Sequence, residues 1–430
     1  MLASVMAAMK IPDLKKRITF LFAMFAVYVV GLHISVPGVD TSILQQKMAQ
    51  GDLFTLFDAF TGGAFKKYTI FAMGIMPYIN ASIIMQLLTI AIPQLEQMQK
   101  EGAAGQKKIK LYTRWLTGVL AFFQAYGVTH WLRTANAIPA AGTGIVDLTV
   151  LHIAITLVAG TAFLMWLGER ITDKGIGNGV SIVIFAGIVA YLPSQLFQTY
   201  EVELMANRNW FGVIMLLVLF VLTITFIVAI TQAQRKIPIQ HVKRIVGNKM
   251  MGGQSSFLPL KINSAGVIPI IFAVSIQYFP MTVANIFTHG DPNHWFTGFA
   301  QSFAPGGSWW GSLIYAAMII FFTYFYTAVT FNVKDVSDNL KKWGSFIPGI
   351  RPGKPTQDYL DKVMTRITLA GAMFLAIVAL MQYYVPSLTG IQTFSLIGGT
   401  SLLIVVGVAL DTMQAIESHL LMRHYEGFIK

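Results

Sequence analysis

The stretch from Ile367 to Leu410 contains no charged side chain. A membrane-spanning helix takes about 20 predominantly apolar residues at about 1.5 Å each. This stretch is therefore long enough for two, and Pro386 and Gly390 read as the tight turn between them. The same measure gives ten candidate spans, at about residues 18–38, 69–92, 112–132, 148–168, 178–198, 210–231, 263–284, 310–332, 367–385 and 393–411. Ten is even, so both termini fall on one side. Charged residues make up 12% of the chain and apolar ones 55%, against roughly a quarter charged in an average soluble domain. That balance excludes a disordered chain and a water-soluble enzyme of this size, because the polar residues could not cover the apolar surface. With no cysteine there is no disulfide, thiolate nucleophile or zinc–thiolate site. The apolar residues 1–9 precede the basic Lys15-Lys16-Arg17, the reverse of a cleavable signal peptide, and that cluster leads into the first span.

Of the 31 Lys and Arg residues, 26 fall in alternate compartments counted from the N-terminal segment, and five in the compartments between. A miscounted span would scramble that alternation, so the skew predicts both termini in the cytoplasm. Lys66 and Lys67 are the main exceptions, just before the second span. Two inward loops are large: residues 235–261 carry six basic and no acidic residues, and residues 334–366 carry seven basic and four acidic. Membrane insertion and attraction to anionic lipid account for part of this. Loops of about thirty residues exceed ordinary helix–helix connections, so these two read as a basic platform for an acidic cytosolic partner.

Gly74-Ile75-Met76-Pro77-Tyr78-Ile79 in the second span is matched by Gly266-Val267-Ile268-Pro269-Ile270-Ile271 in the seventh. Both read G-x-x-P-x-I. Five spans separate them, so the second copy enters the membrane from the opposite side, the mark of an inverted repeat with halves 1–205 and 206–430. Gly and Pro at matching places in such halves point to the transport site; both are also common in membrane helices generally. Pro77 and Pro269 are expected to break a helix hydrogen bond and so to face the bundle interior. Ile75/Ile79 and Ile271/Ser275 would project as i, i+4 pairs, although an Ile pair taken alone is more often lipid-facing. Before the second span lies Leu53-Phe54-Thr55-Leu56-Phe57-Asp58-Ala59-Phe60-Thr61-Gly62-Gly63-Ala64-Phe65. It is apolar, too short to cross and stopped by two glycines, which reads as a re-entrant segment or an interfacial helix.

No charge sits near the middle of any span, which argues against proton pumps and many ion-coupled carriers but leaves open carriers that hold sodium through backbone carbonyls. The eight His show no metal spacing. Gly175-Ile176-Gly177-Asn178-Gly179 lacks the Lys-Ser/Thr and the preceding strand of a phosphate loop, and reads as a flexible turn. No enzyme chemistry, metal or cofactor is expected.

Gly74-Ile75-Met76-Pro77-Tyr78-Ile79-Asn80-Ala81-Ser82, running to Gln86, resembles a signature of the SecY family, the pore-forming subunits of bacterial Sec protein translocases. Trp166-Leu167-Gly168-Glu169-Arg170-Ile171-Thr172-Asp173-Lys174-Gly175-Ile176-Gly177-Asn178-Gly179-Val180-Ser181 is similar to a second. Val36-Pro37-Gly38-Val39-Asp40, Pro259-Leu260-Lys261-Ile262-Asn263 and Phe346-Ile347-Pro348-Gly349-Ile350-Arg351-Pro352-Gly353 extend the match, in order, over essentially the whole chain. Where many bacterial relatives carry a basic residue shortly before Gly31, this chain has Val29-Val30.

The resemblance implies an all-α polytopic membrane protein, with ten transmembrane helices in two inverted five-helix halves around a central pore. It implies a pore ring of Ile75, Ile79, Ile184, Ile271, Ser275 and Ile404, in which Ser275 departs from the aliphatic pattern. It also implies a plug over residues 55–65, and a lateral gate between the second and seventh spans near Asn80, Ser275 and Tyr278. Motor or ribosome docking would fall to Arg235, Lys236, Lys243, Arg244, Lys249, Arg351 and Lys354. The implied partners are SecE-like and SecG-like small membrane subunits, a SecA-like ATPase, the ribosome, unfolded preproteins with their signal sequences, and membrane lipids; the implied location is the bacterial cytoplasmic membrane.

The expected function is a protein-conducting channel, driven from outside because the chain has no nucleotide site. A secondary carrier of a small solute built on the same repeat would explain the ten spans but not the large basic loops. A membrane scaffold without a pore predicts neither capture of a secretory chain at Ile79 or Ile271 nor saturable uptake of a solute.

Overall fold

The computed structural model describes residues 9–48, 58, 61–134, 136–138, 147–206, 209–241, 244–246, 249–251, 255–287, 294–391 and 399–426. Its elements in order are α1 (Pro12–Gly31), α2 (Thr41–Met48), α3 (Met76–Ala91), α4 (Pro93–Lys100), α5 (Ala103–Thr134), α6 (Leu148–Lys174) and α7 (Gly179–Thr199). One wide turn, Tyr200–Ala206, leads to α8 (Trp210–Gln232). Four strands follow: β1 (Gln234–His241), β2 (Arg244–Val246), β3 (Lys249–Met251) and β4 (Ser255–Lys261). Then come α9 (Ile268–Phe287), α10 (Trp295–Phe303), α11 (Trp309–Thr330), α12 (Val333–Lys342), β5 (Ser345–Phe346), α13 (Lys354–Thr389) and α14 (Thr400–Glu426). A helix occupies each of the ten predicted spans. Among the described residues six helices are long and apolar enough by themselves to cross a membrane, and the pair α3–α4, bent by 101° at Ile92, makes a seventh if it is one span.

The outer surface is hydrocarbon-like. In α8 the buried residues are Gly212, Thr223 and Ile227, while Phe211 is 81% exposed and Leu217 60%. Such a helix is stable only with lipid as its solvent. Hydroxyls inside it find partners one turn back: Thr113 donates to the Ile109 carbonyl at 2.9 Å, Thr223 to Leu219 at 2.7 Å, Thr323 to Ile319 at 2.6 Å, and Thr89 to Met85. Side-chain caps start several helices, with Asp147 accepting from the Thr149 amide, Asn209 from Gly212 and Ser308 from Gly311.

The chain is a mostly helical multi-span bundle, as expected, and the loop after α8 adds strands to it. β1 pairs antiparallel with β4, from Gln234 opposite Lys261 to Gln240 opposite Ser255, and its other edge takes β5 through Gln240–Phe346 and His241–Ser345. Ile237 and Ile239 alternate inward along β1, and Ile237 joins Leu260, Ile347, Leu360 and Met364 in one small core. His241 contacts Ser256 Oγ through Nε2 at 3.1 Å and Ser345 Oγ through Nδ1 at 2.7 Å. The two basic loops are thereby one body. Pairing was invisible in the sequence because β1 and β5 lie about a hundred residues apart, and period-2 patterning shows no partner.

Three expectations change. Pro386 lies inside α13, three residues before its end, and the stop is Gly390, whose φ of +71° a side chain would oppose. The second span is helical only from Met76; residues 61–75 are a run of turns, held by Val36 N–H on the Tyr68 carbonyl at 2.9 Å and Ile70 N–H on Ile34 at 3.0 Å. Gly175–Gly179 is a built junction rather than a flexible turn. Asn178 caps α7 by accepting from Val180 and Ser181, and Thr172 Oγ1 accepts from the Gly179 amide at 2.9 Å. A Cβ on Gly179 would stand 1.8 Å from the Gly168 carbonyl oxygen. Gly179→Ala is therefore expected to destabilise the α6–α7 contact by about 1–3 kcal/mol. Gly118→Ala, where nothing lies within 4 Å, should be near neutral; thermal aggregation midpoints in detergent measure the difference.

Candidate functional site

The two G-x-x-P segments take the same local form. Gly74 (φ +55°) and Gly266 (φ +64°) each hold a left-handed turn directly before a helix start. Pro77 and Pro269 then fall in the first turns of α3 and α9. This corrects the expectation that they break helix bonds: a first-turn N–H has no intrahelical acceptor, so proline removes nothing there. The result is two helices that begin at a common place deep in the bundle.

There the side chains of Ile75, Met76 and Ile79 meet Val267, Ile270, Ile271 and Val274 of the α9 start, with Ile184 from α7 and Thr400 and Ile404 from α14. The space left among them is about 10 Å³, room for one water at most. Ile75, Ile184 and Ile404 are themselves buried. The lining's one hydroxyl is turned to other work, Thr400 Oγ1 donating to Gln382 Oε1 at 2.8 Å. Five of the six expected ring residues thus converge. Ser275 does not line this space; its Oγ donates to Asn80 Oδ1 at 3.3 Å across α9 and α3. Tyr278, one turn along, is buried in the core formed by α9, α11 and α13. Val267, Ile270 and Val274 escaped the sequence reading, although with Ile271 they make an i, i+3, i+4, i+7 stripe that pairwise spacing from one proline does not reveal.

Of the expected plug, Thr55, Leu56, Phe57, Ala59 and Phe60 lie outside the described residues. Asp58, Thr61, Gly63, Ala64 and Phe65 are buried. Gly62 and Gly63 allow close approach to α7, since a Cβ on the first would meet the Gly187 backbone at 2.5 Å and on the second the Tyr191 ring at 2.7 Å. The Asp58 carboxylate accepts from the Lys66 amide at 2.7 Å and from the Tyr191 hydroxyl. Burial outweighs those bonds and pushes the Asp58 carboxyl up to about 6. Gly187 and Tyr191, the seat of this segment, carried no sequence signal because nothing in α7 marks which turn faces it.

The basic residues stand elsewhere, on the sheet and its neighbouring turn. Arg235, Lys236, Arg351 and Lys354 are exposed, Arg244 lies on β2 and Lys249 on β3, and Lys243 is outside the described residues. Left-handed Gly349 and Gly353 shape the Arg351 turn, and its carbonyl accepts from Thr356 Oγ1 at 2.8 Å. A bidentate pair that the sequence did not announce, Arg114 to Glu169 at 2.7 Å for both bonds, ties α5 to α6.

Asp58 yields a pH prediction. Its folded pKa of about 6 lies above an unfolded value of about 3.9, so seating is strongest with the carboxyl protonated. The contribution is full below about pH 4 and falls as pH rises through 6. Hydrogen-exchange protection of residues 61–68, corrected for intrinsic rate, should drop over that window, and Asp58→Asn should flatten the dependence.

The SecY family profile matches residues 69–413. The chain is 43% identical to the protein translocase subunit SecY of Thermotoga maritima, over 98% of this chain and 96% of that protein. Its fold superimposes on a structure described as a protein-conducting channel with a TM-score of 0.66 at 18% identity, covering 96% of each chain. It also superimposes on Sec61 in the canine ribosome–channel complex from the endoplasmic reticulum, with a TM-score of 0.62 at 16% identity over 96% of each. A multi-span bundle pinched at an uncharged waist, with this sequence kinship, is a transport channel rather than an enzyme: the chain belongs to the SecY family of protein-conducting translocase subunits.

Proposed function

We propose that Ile75, Ile79, Ile184, Ile271 and Ile404, with Ser275 at their edge, form a constriction that closes around a moving polypeptide. The observation that supports this most directly is the near-zero volume left inside an aliphatic lining. Aliphatic side chains offer no hydrogen bonds, so such a ring selects no sequence, and when narrow it dewets and stops ions. Residues 55–65 act as the plug, seated on Gly187 and Tyr191 through Gly62, Gly63 and Asp58. Halves 1–205 and 206–430 part between α3 and α9, where Asn80, Ser275 and Tyr278 form the lateral gate. An apolar signal helix leaves through it because its transfer to lipid is favourable.

Both termini face the cytoplasm of a bacterial inner membrane, as the distribution of Lys and Arg supports. Exposed Arg235, Lys236, Arg351 and Lys354, with Lys243, Arg244 and Lys249, dock the SecA-like ATPase or the ribosome that supplies the energy. The ribosome-bound canine relative supports such a surface. SecE-like and SecG-like subunits complete the membrane complex.

A photoactivatable residue at position 79 or 271 should capture a stalled secretory chain. Capture no better than from position 22, where Phe22 is 65% exposed, would remove the constriction from the path. Arg351→Glu should lower motor-dependent export at least several-fold while leaving protein level unchanged; wild-type export together with wild-type motor affinity would dismiss that turn as a docking point.

A further inference from the structure

Gln277 of α9 is fully buried, and its Nε2 donates to two carbonyls at once, Phe303 at 2.6 Å and Gly311 at 2.7 Å. These belong to the last residue of α10 and the third of α11. A helix C-terminus leaves its carbonyls without intrahelical donors, so the first bond closes an open end of α10 from inside the bundle. α10 follows the end of α9 remote from the sheet, so it lies on the opposite membrane face.

The outward side of α10 is aromatic. Trp295 is 76% exposed and Phe299, one turn on, 48%, while Thr297 and Ala300 are buried on the inner side. Phe299, Phe303 and Trp310 pack ring to ring at centroid distances of 6.0–6.3 Å, joining α10 to the start of α11. Trp309, the first residue of that membrane-crossing helix, is 76% exposed. The α10 sequence Trp295-Phe296-Thr297-Gly298-Phe299-Ala300-Gln301-Ser302-Phe303 carries no charge. Large exposed rings on an uncharged short helix, continuous with a membrane span, match the headgroup level of a bilayer, where Trp and Phe are favoured. We infer that α10 is an interfacial lipid anchor, and that Gln277 fastens the far end of α9 to it, so that the lipid surface holds one side of the moving seam.

The chain has no cysteine, so single labels are unambiguous. Phe299→Cys carrying a nitrobenzoxadiazole probe, in vesicles of phosphatidylcholine and phosphatidylglycerol, should be quenched several-fold more strongly by a shallow spin-labelled lipid than by aqueous iodide. Preferential iodide quenching overturns the anchor; shielding from both quenchers overturns it too, in favour of a protein partner or a second copy. For the fastening, spin labels on Ile276→Cys and Phe299→Cys should give a narrow distance distribution that Gln277→Leu broadens. An unchanged width overturns that role for Gln277. Neither readout requires translocation, so either failure leaves the channel reading intact.

Discussion

A peptide group or hydroxyl that meets hydrocarbon without a partner costs several kcal/mol, and that penalty shapes every part of this molecule. It turns the apolar runs into helices, and folds threonine hydroxyls back onto carbonyls one turn earlier. It also decides where irregular backbone can exist. Residues 61–75 are turns rather than helix, yet Ala64, Tyr68, Thr69 and Ala72 are fully buried among other side chains. Left-handed Gly74 and Gly266 then let two helices begin inside the bundle instead of at its surface. The waist exists because those starts are possible.

At the waist the same penalty works in the other direction. The lining side chains, aliphatic but for Met76 and Thr400, give water little to hold, and about 10 Å³ leaves room for one molecule at most. The elements nearby carry small polar fastenings instead: Asn80 with Ser275 across two helices, and Asp58 with the Lys66 amide in the turn region. Such contacts hold geometry while contributing only about 1 kcal/mol each in net terms. Charge is concentrated on the sheet side, where Arg235, Lys236, Arg351 and Lys354 are exposed.

Much of this was legible in the sequence for a physical reason. Span positions follow from apolar length, and five of six waist residues from two matching motifs and family likeness. Ser275 stands beside the stripe, because i, i+4 spacing from Ile271 puts it there, and only the neighbouring helix decides that it faces Asn80. The strands β1 and β5 depend on contact between distant segments, and the proline roles on which helical turn they occupy. The α7 seat of Gly62 and Gly63 depends on rotation about a helix axis, which a uniformly apolar helix leaves unmarked.

The paired helix starts have an electrostatic consequence. An α-helix carries roughly half a positive charge at its N-terminal end. α3 and α9 both place that end among the residues lining the narrowest point, so two macrodipoles meet head to head there. The resulting potential there is positive and, in a medium of low dielectric, reaches further than it would in water. A neutral stretch of peptide feels little of it.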